Sequence, residues 1–133
     1  MKRVVVVDTN VLVSGIFWKG KPYQVIKSWE QGDFKLLASP EIIEEYRLVL
    51  EDFAKRHPGF EVGNILEIIE LNCELVNAKP VRGICKDPDD DKFIAAALAG
   101  GAEFIVSGDK ALLDVGVHQG IKIMNPSNFL KNQ

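Results

Sequence analysis

RVVVVD, Arg3–Asp8, is the stretch whose reading decides the fold. A strand with one wet face alternates apolar and polar side chains, whereas a run apolar at every position has both faces covered. Strands covered on both faces belong to a mainly parallel sheet between helices, so strands and helices should alternate along the chain. They do. A helical stretch around Tyr23–Trp29 is closed by Gly32, and FKLLAS (34–39) reads as a second strand. Ser39-Pro40-Glu41 opens a helix, with Ser as cap, Pro at the first helical position and an acid in the first turn. That helix runs to about Lys55 and breaks at His57-Pro58-Gly59. An amphipathic helix over Val62–Leu71 and a short strand CELV (73–76) follow. FIAAALA reads as a helix ended by Gly100-Gly101, EFIVS (103–107) and IKIM (121–124) as strands, and Pro126 starts a terminal helix. The expectation is an α/β fold of three layers, α/β/α, with about five strands.

No Gly/Ser-rich or Pro-rich run and no block of five like charges divides the chain, so residues 1–133 are expected to form one domain. After Met1-Lys2-Arg3 come only four valines before Asp8. A signal peptide needs roughly 7–15 apolar residues and a membrane helix about 20, so a cytoplasmic protein is expected. Cys73 and Cys85 lack CxxC spacing and a second Cys/His pair, which argues against zinc and for two plain thiols. A net charge of −3 disfavours binding nucleic acid by bulk electrostatics, but not at an acidic site whose bound cations reverse the local field.

Such a site has material. KDPDDDKF (Lys86–Phe93) carries four aspartates, Asp87, Asp89, Asp90 and Asp91, ahead of a helix. Asp8 ends the first strand and Asp109 follows EFIVS, and open α/β sheets place their sites outside the carboxyl ends of the strands. The three acidic segments should therefore share one rim. Capping explains one or two acids of the run but does not need four. A calcium loop starting at Asp87 fails, because it requires Gly and Glu where Lys92 and Leu98 stand. On the helix from Pro40, Ile42, Tyr46, Val49 and Phe53 make one apolar stripe, and Glu45 lies on it. Glu44 falls instead on a charged face with Glu41, Arg47, Glu51 and Lys55. A carboxylate on a buried stripe either pairs with Lys or Arg or binds a metal, and periodicity leaves both open.

Three blocks, VVVDTNVLVSGIF, SPEIIEEY and DPDDDKFIAAALAGGAEFIVSGD, in this order resemble a PIN-domain protein, in particular the VapC-type toxin ribonucleases of bacterial toxin–antitoxin systems. The resemblance covers almost the whole chain. It implies an acidic site at Asp8, Glu45, Asp91 and Asp109, the four being both catalytic and metal-holding, with Asn10 and Ser107 as polar supports. It further implies a Mg²⁺- or Mn²⁺-dependent hydrolase of RNA phosphodiester bonds that leaves a 5′-phosphate and a 3′-hydroxyl. A cognate antitoxin and a homodimer are the implied protein partners. Two other classes stand beside it: a cation-binding interaction module without hydrolysis, and a haloacid-dehalogenase-like phosphatase, whose second aspartate is replaced here by Asn10. FWKGKPY (17–23) interleaves rings and lysines, which suits either stacked bases of single-stranded RNA or a packing corner. Lys86, Lys92 and Lys110 stand next to the acids and are candidates for phosphate contact, or simply solvated charges.

Overall fold

The computed structural model of the protein describes residues 2–132. In chain order it runs β1 (Arg3–Val7), α1 (Thr9–Phe17), α2 (Lys21–Glu30), β2 (Phe34–Ala38), α3 (Pro40–Arg56), α4 (Val62–Asn72) and β3 (Cys73–Leu75). A 3₁₀ turn (Pro88–Asp90) then leads into α5 (Asp91–Gly100), β4 (Phe104–Val106), α6 (Lys110–Leu113), β5 (Val117–His118), β6 (Ile121–Met124) and α7 (Pro126–Lys131).

Among the described residues the sheet has six strands in the order β3-β2-β1-β4-β6-β5. Val5 pairs with Leu36 on one side and Phe104 on the other, so the valine run is the centre of the sheet. Val5, Val6 and Val7 are fully buried, as a strand covered on both faces requires. All pairings are parallel except β5 with β6. The expected count of about five strands misses β5, a two-residue return strand from the turn at Gly116 that no periodicity could announce. Helices flank the sheet; α5 packs on β1, β2 and β4.

The largest departure from the sequence reading is α1. Thr9–Phe17 is rich in β-branched residues and contains Gly15, a poor helix composition. Tertiary packing overrides propensity here, helped by Asp8, which caps the helix by accepting from the Val11 N–H at 2.9 Å. Gly15 is where α1 meets α2: a Cβ there would lie 2.4 Å from Ile26 Cγ1 and 2.6 Å from the Pro22 carbonyl oxygen. Gly15→Ala would gain about 1 kcal/mol of helix propensity, yet overpacking against backbone costs about 1–3 kcal/mol. We expect a net fall in the denaturation midpoint. A midpoint at or above wild type would show that the two helices separate freely.

The aromatic–basic segment resolves as a packing corner. Phe17 stacks on Phe53, with ring centroids 3.7 Å apart, and meets Phe60 edge-on at 4.4 Å. Trp18 closes edge-on against Phe53 while remaining 56% exposed. The rings tie α1, α3 and the start of α4 together and are engaged with one another. Gly101, with φ of 68°, ends α5 in the left-handed conformation expected of the Gly100-Gly101 pair.

Candidate functional site

The connections leaving β1 and returning to it fall on opposite sides of that strand: β2 lies on one flank and β4 on the other. Strand order reverses there, and the crevice at the carboxyl ends of β1 and β4 is where such sheets bind ligands. Asp8 follows β1 directly, and its N–H donates to the Val106 carbonyl at 3.0 Å, extending the ladder by one step. Ser107 and Asp109 follow β4.

Asp8 is 3% exposed and held from two sides. Its Oδ1 accepts from Val11 N, and its Oδ2 accepts from the Ser107 hydroxyl. Burial raises its pKa above the ordinary carboxylate value; the Ser107 and Val11 bonds oppose this, and the charges of Asp109 and Glu45 add to it. Ser107, fully buried, also accepts from the Asp109 N–H at 2.9 Å. One hydroxyl thus bonds both the Asp8 carboxylate and the Asp109 N–H. Asn10 is exposed on the first turn of α1 and lines an open cleft with Lys21, Gly108, Asp109 and Asn125. A second hydroxyl on the rim is that of Thr9, which donates to Glu45 Oε2. Nothing in the sequence distinguished Thr9 from any buried threonine.

Helix α3 presents the faces that periodicity assigned. Ile42, Tyr46, Leu50 and Phe53 are buried and Val49 is half-buried, while Glu44 pairs with Arg47 on the solvent side. The Tyr46 hydroxyl donates to the carbonyl of Val7, locking α3 to the end of β1. Glu45 comes to the rim, its side chain 22% exposed, and Lys92 Nζ lies 2.6 Å from its Oε1. The same ammonium lies 3.1 Å from Asp89 Oδ1. Burial pulls the Lys92 pKa down, but the bonds to Glu45 and Asp89 outweigh it and leave the ammonium raised. Glu45 thus has a lysine partner on the rim.

The aspartate run divides its labour. Asp87 caps the 3₁₀ turn, accepting from Asp89 N at 3.0 Å. Asp91, named by the family resemblance, is 4% exposed, and its carboxylate accepts from Gly83 N at 3.1 Å and Cys85 N at 2.7 Å. It fastens the irregular loop 83–85 to the start of α5. The acid that meets Asp109 is Asp90. Asp109 is an acidic neighbour of Asp90, and Asp90 Oδ2 is buried with no hydrogen-bond partner. Its pKa is pushed up to about 8, first by burial, then by contact with Asp109 and the charges of Asp109, Asp87 and Asp8. The Cys85 thiol is driven up to about 12, chiefly by burial, so it is a protonated core group and no thiolate ligand.

Among the described residues no three Asp, Glu, His or Cys side chains converge closely enough to enclose an ion by themselves. The set nonetheless suits a hard divalent cation. Its donors are carboxylate oxygens, one of them is buried without a partner, and Mg²⁺ in particular keeps several waters and is held by one or two carboxylates. Lys110 is 87% exposed and paired with Asp114, an ordinary solvated charge, and Lys86 is exposed; of the three lysines beside the acids, Lys92 is the one that reaches the rim.

Comparison with known proteins follows the same outline. The chain is 26% identical to an uncharacterised protein of Methanocaldococcus jannaschii, MJ1680, over 98% of this chain and 92% of that one. PAE2754 from Pyrobaculum aerophilum superposes with a TM-score of 0.61 at 14% identity, covering 98% of this chain and 88% of its own. FitAcB from Neisseria gonorrhoeae superposes with a TM-score of 0.55 at 17% identity, covering 92% and 98%. These identities speak for the fold alone. The family model for the PIN domain matches residues 4–111, a span from the first valine of β1 to α6 that takes in every acid of the crevice. The chain therefore belongs to the PIN domain family, whose members are typically nucleases.

Proposed function

We propose that the protein is a Mg²⁺- or Mn²⁺-dependent ribonuclease that hydrolyses RNA phosphodiester bonds as the toxin of a toxin–antitoxin pair. The observation that carries the reading is Asp90, which neighbours Asp109 at the sheet's switch point and has one carboxylate oxygen buried without a hydrogen-bond partner. Like charges gathered there without compensation are costly, and a divalent cation is the group that would make them favourable. Asp90 and Asp109 would hold it together with several waters, with Asp8 buried beside them, Glu45 on the rim and Asp91 as the buttress of the loop behind. A divalent ion supplies concentrated positive charge that acidifies water and offsets charge on a phosphodiester. The chain's own part is positional. Ser107 and Val11 N–H fix the Asp8 carboxylate, Thr9 fixes one oxygen of Glu45, and Tyr46 ties α3 to β1 so that neither acid drifts. A cognate antitoxin and a second copy of the chain belong to the same proposal; Ile68, Leu71 and Leu75, exposed on α4 and β3, offer them apolar surface.

Family membership supports a nuclease over the phosphatase alternative, and the non-hydrolysing cation module is separated by experiment. Purified protein is incubated with labelled single-stranded RNA in Mn²⁺, in Mg²⁺ and with excess chelator. Cleavage with either ion, stopped by chelator, is the expected result. A metal-dependent rise in melting temperature without cleavage would favour the binding module. Neither cleavage nor a thermal shift would dispose of both readings.

A further inference from the structure

We infer that Lys92 is a phosphate-positioning residue that does, beside Glu45, the work a second divalent ion would do, so that the site takes one ion and one lysine. The inference rests on the nuclease reading above.

The demand for a cation is uneven around the crevice. Asp90, whose acidic neighbours include Asp109, Asp87 and Asp8, has its Oδ2 buried without a hydrogen-bond partner. Both oxygens of Glu45 are already served, Oε1 by Lys92 at 2.6 Å and Oε2 by the Thr9 hydroxyl. Divalent charge is therefore needed at the aspartates, while Glu45 has its counter-charge built in. The lysine is also well placed to do more than neutralise. It stands on the first turn of α5, next to Asp91, whose carboxylate pins that turn to loop 83–85. Its ammonium is anchored at two points, Glu45 and Asp89, and an ammonium has three donors. One N–H thus remains for a further acceptor. The side chain is 21% exposed, enough for a ligand to reach and too little for it to sweep freely through solvent. A nucleic-acid phosphate approaching a rim lined by acids meets repulsion from their carboxylates, and this ammonium is a positive group fixed on that rim by two anchors. The geometry gives the chain a fixed positive point beside the acids, and its natural acceptor is a phosphate oxygen of the RNA backbone.

Two measurements test this. The first is Mn²⁺ binding to the unmodified protein by calorimetry. One ion per chain is expected; two would overturn the proposal, because Lys92 would then have been displaced from Glu45. The second compares Lys92→Met and Lys92→Arg with wild type in RNA cleavage and in Mn²⁺ affinity. Lys92→Met should raise KM for RNA or lower kcat/KM at least tenfold while Mn²⁺ affinity stays within about threefold, and Lys92→Arg should recover part of the loss by restoring charge. Normal cleavage by Lys92→Met would overturn the proposal, and so would Mn²⁺ affinity lost together with activity, which would make Lys92 merely structural. If the wild type binds Mn²⁺ and cleaves no RNA, the nuclease reading fails instead, and the two failures are told apart by that control.

Discussion

Asp90→Asn is expected to stabilise the metal-free protein at neutral and higher pH and to lower RNA cleavage by about a hundredfold or more, the range seen when a preorganised charge is removed from an active site. The stability effect follows from the sign of the pKa shift. Asp90 has a folded pKa of about 8 against an ordinary 3.8, so between these values the folded chain binds more protons than the unfolded chain. Its contribution is complete below the unfolded value and is lost as pH rises through the folded one. Asp8, raised in the same direction, adds to the decline. The wild-type melting temperature should therefore fall between about pH 4 and pH 8, and Asp90→Asn should make that fall shallower. The amide also gives Asp109 a donor where two carboxylates now face each other. With saturating Mg²⁺ the wild type should gain several degrees, and the variant should gain much less. Asp91→Asn should behave in the opposite way. Its carboxylate accepts from two backbone N–H groups in a buried place, and an amide turns one acceptor into a donor facing a donor. An unsatisfied buried group costs about 1–3 kcal/mol, so the metal-free protein should melt several degrees lower. Thermal melts of both variants across pH, with and without Mg²⁺, decide the matter. A silent Asp91→Asn beside an unfolded Asp90→Asn would exchange the roles of these neighbours.

Glu45→Gln is expected to cut cleavage by about a hundredfold, on the same electrostatic grounds, whereas Glu44→Gln should cleave nearly as wild type. The two residues are adjacent in sequence and opposed on the helix. Glu44 pairs with exposed Arg47, an i,i+3 contact worth about 0.2–0.5 kcal/mol. Glu45 holds Lys92 in a partly shielded pair, so its loss removes the charge that fixes the ammonium at the rim. Between the values for exposed and buried pairs, the stability cost should be about 1 kcal/mol, leaving the circular dichroism spectrum unchanged. Cleavage is measured over a Mn²⁺ titration. Loss that more Mn²⁺ rescues would identify Glu45 as an ion ligand; loss that it does not rescue fits the anchoring of Lys92. Equal loss in both variants would contradict the helix orientation itself.

The features legible in the sequence are those set by local chemistry and by period. A run of β-branched residues without a polar break could only be a strand covered on both faces, and it is the centre of the sheet. Ser39-Pro40 could only begin a helix, and its period separated Glu45 from Glu44 before any contact was known. The rim shared by Asp8 and Asp109 followed from both standing just beyond the carboxyl ends of parallel strands. Tertiary structure decided the rest, because the deciding partners lie far along the chain or in segments without period. α1 forms against its own composition because α2 and α3 cover it. Glu45 takes its charge partner from Lys92, 47 residues on. Four neighbouring aspartates carry the same chemistry, and only the 3₁₀ turn at Pro88–Asp90 and the N–H groups of an irregular loop settle their directions. They turn Asp91 into the structure and Asp90 toward the crevice.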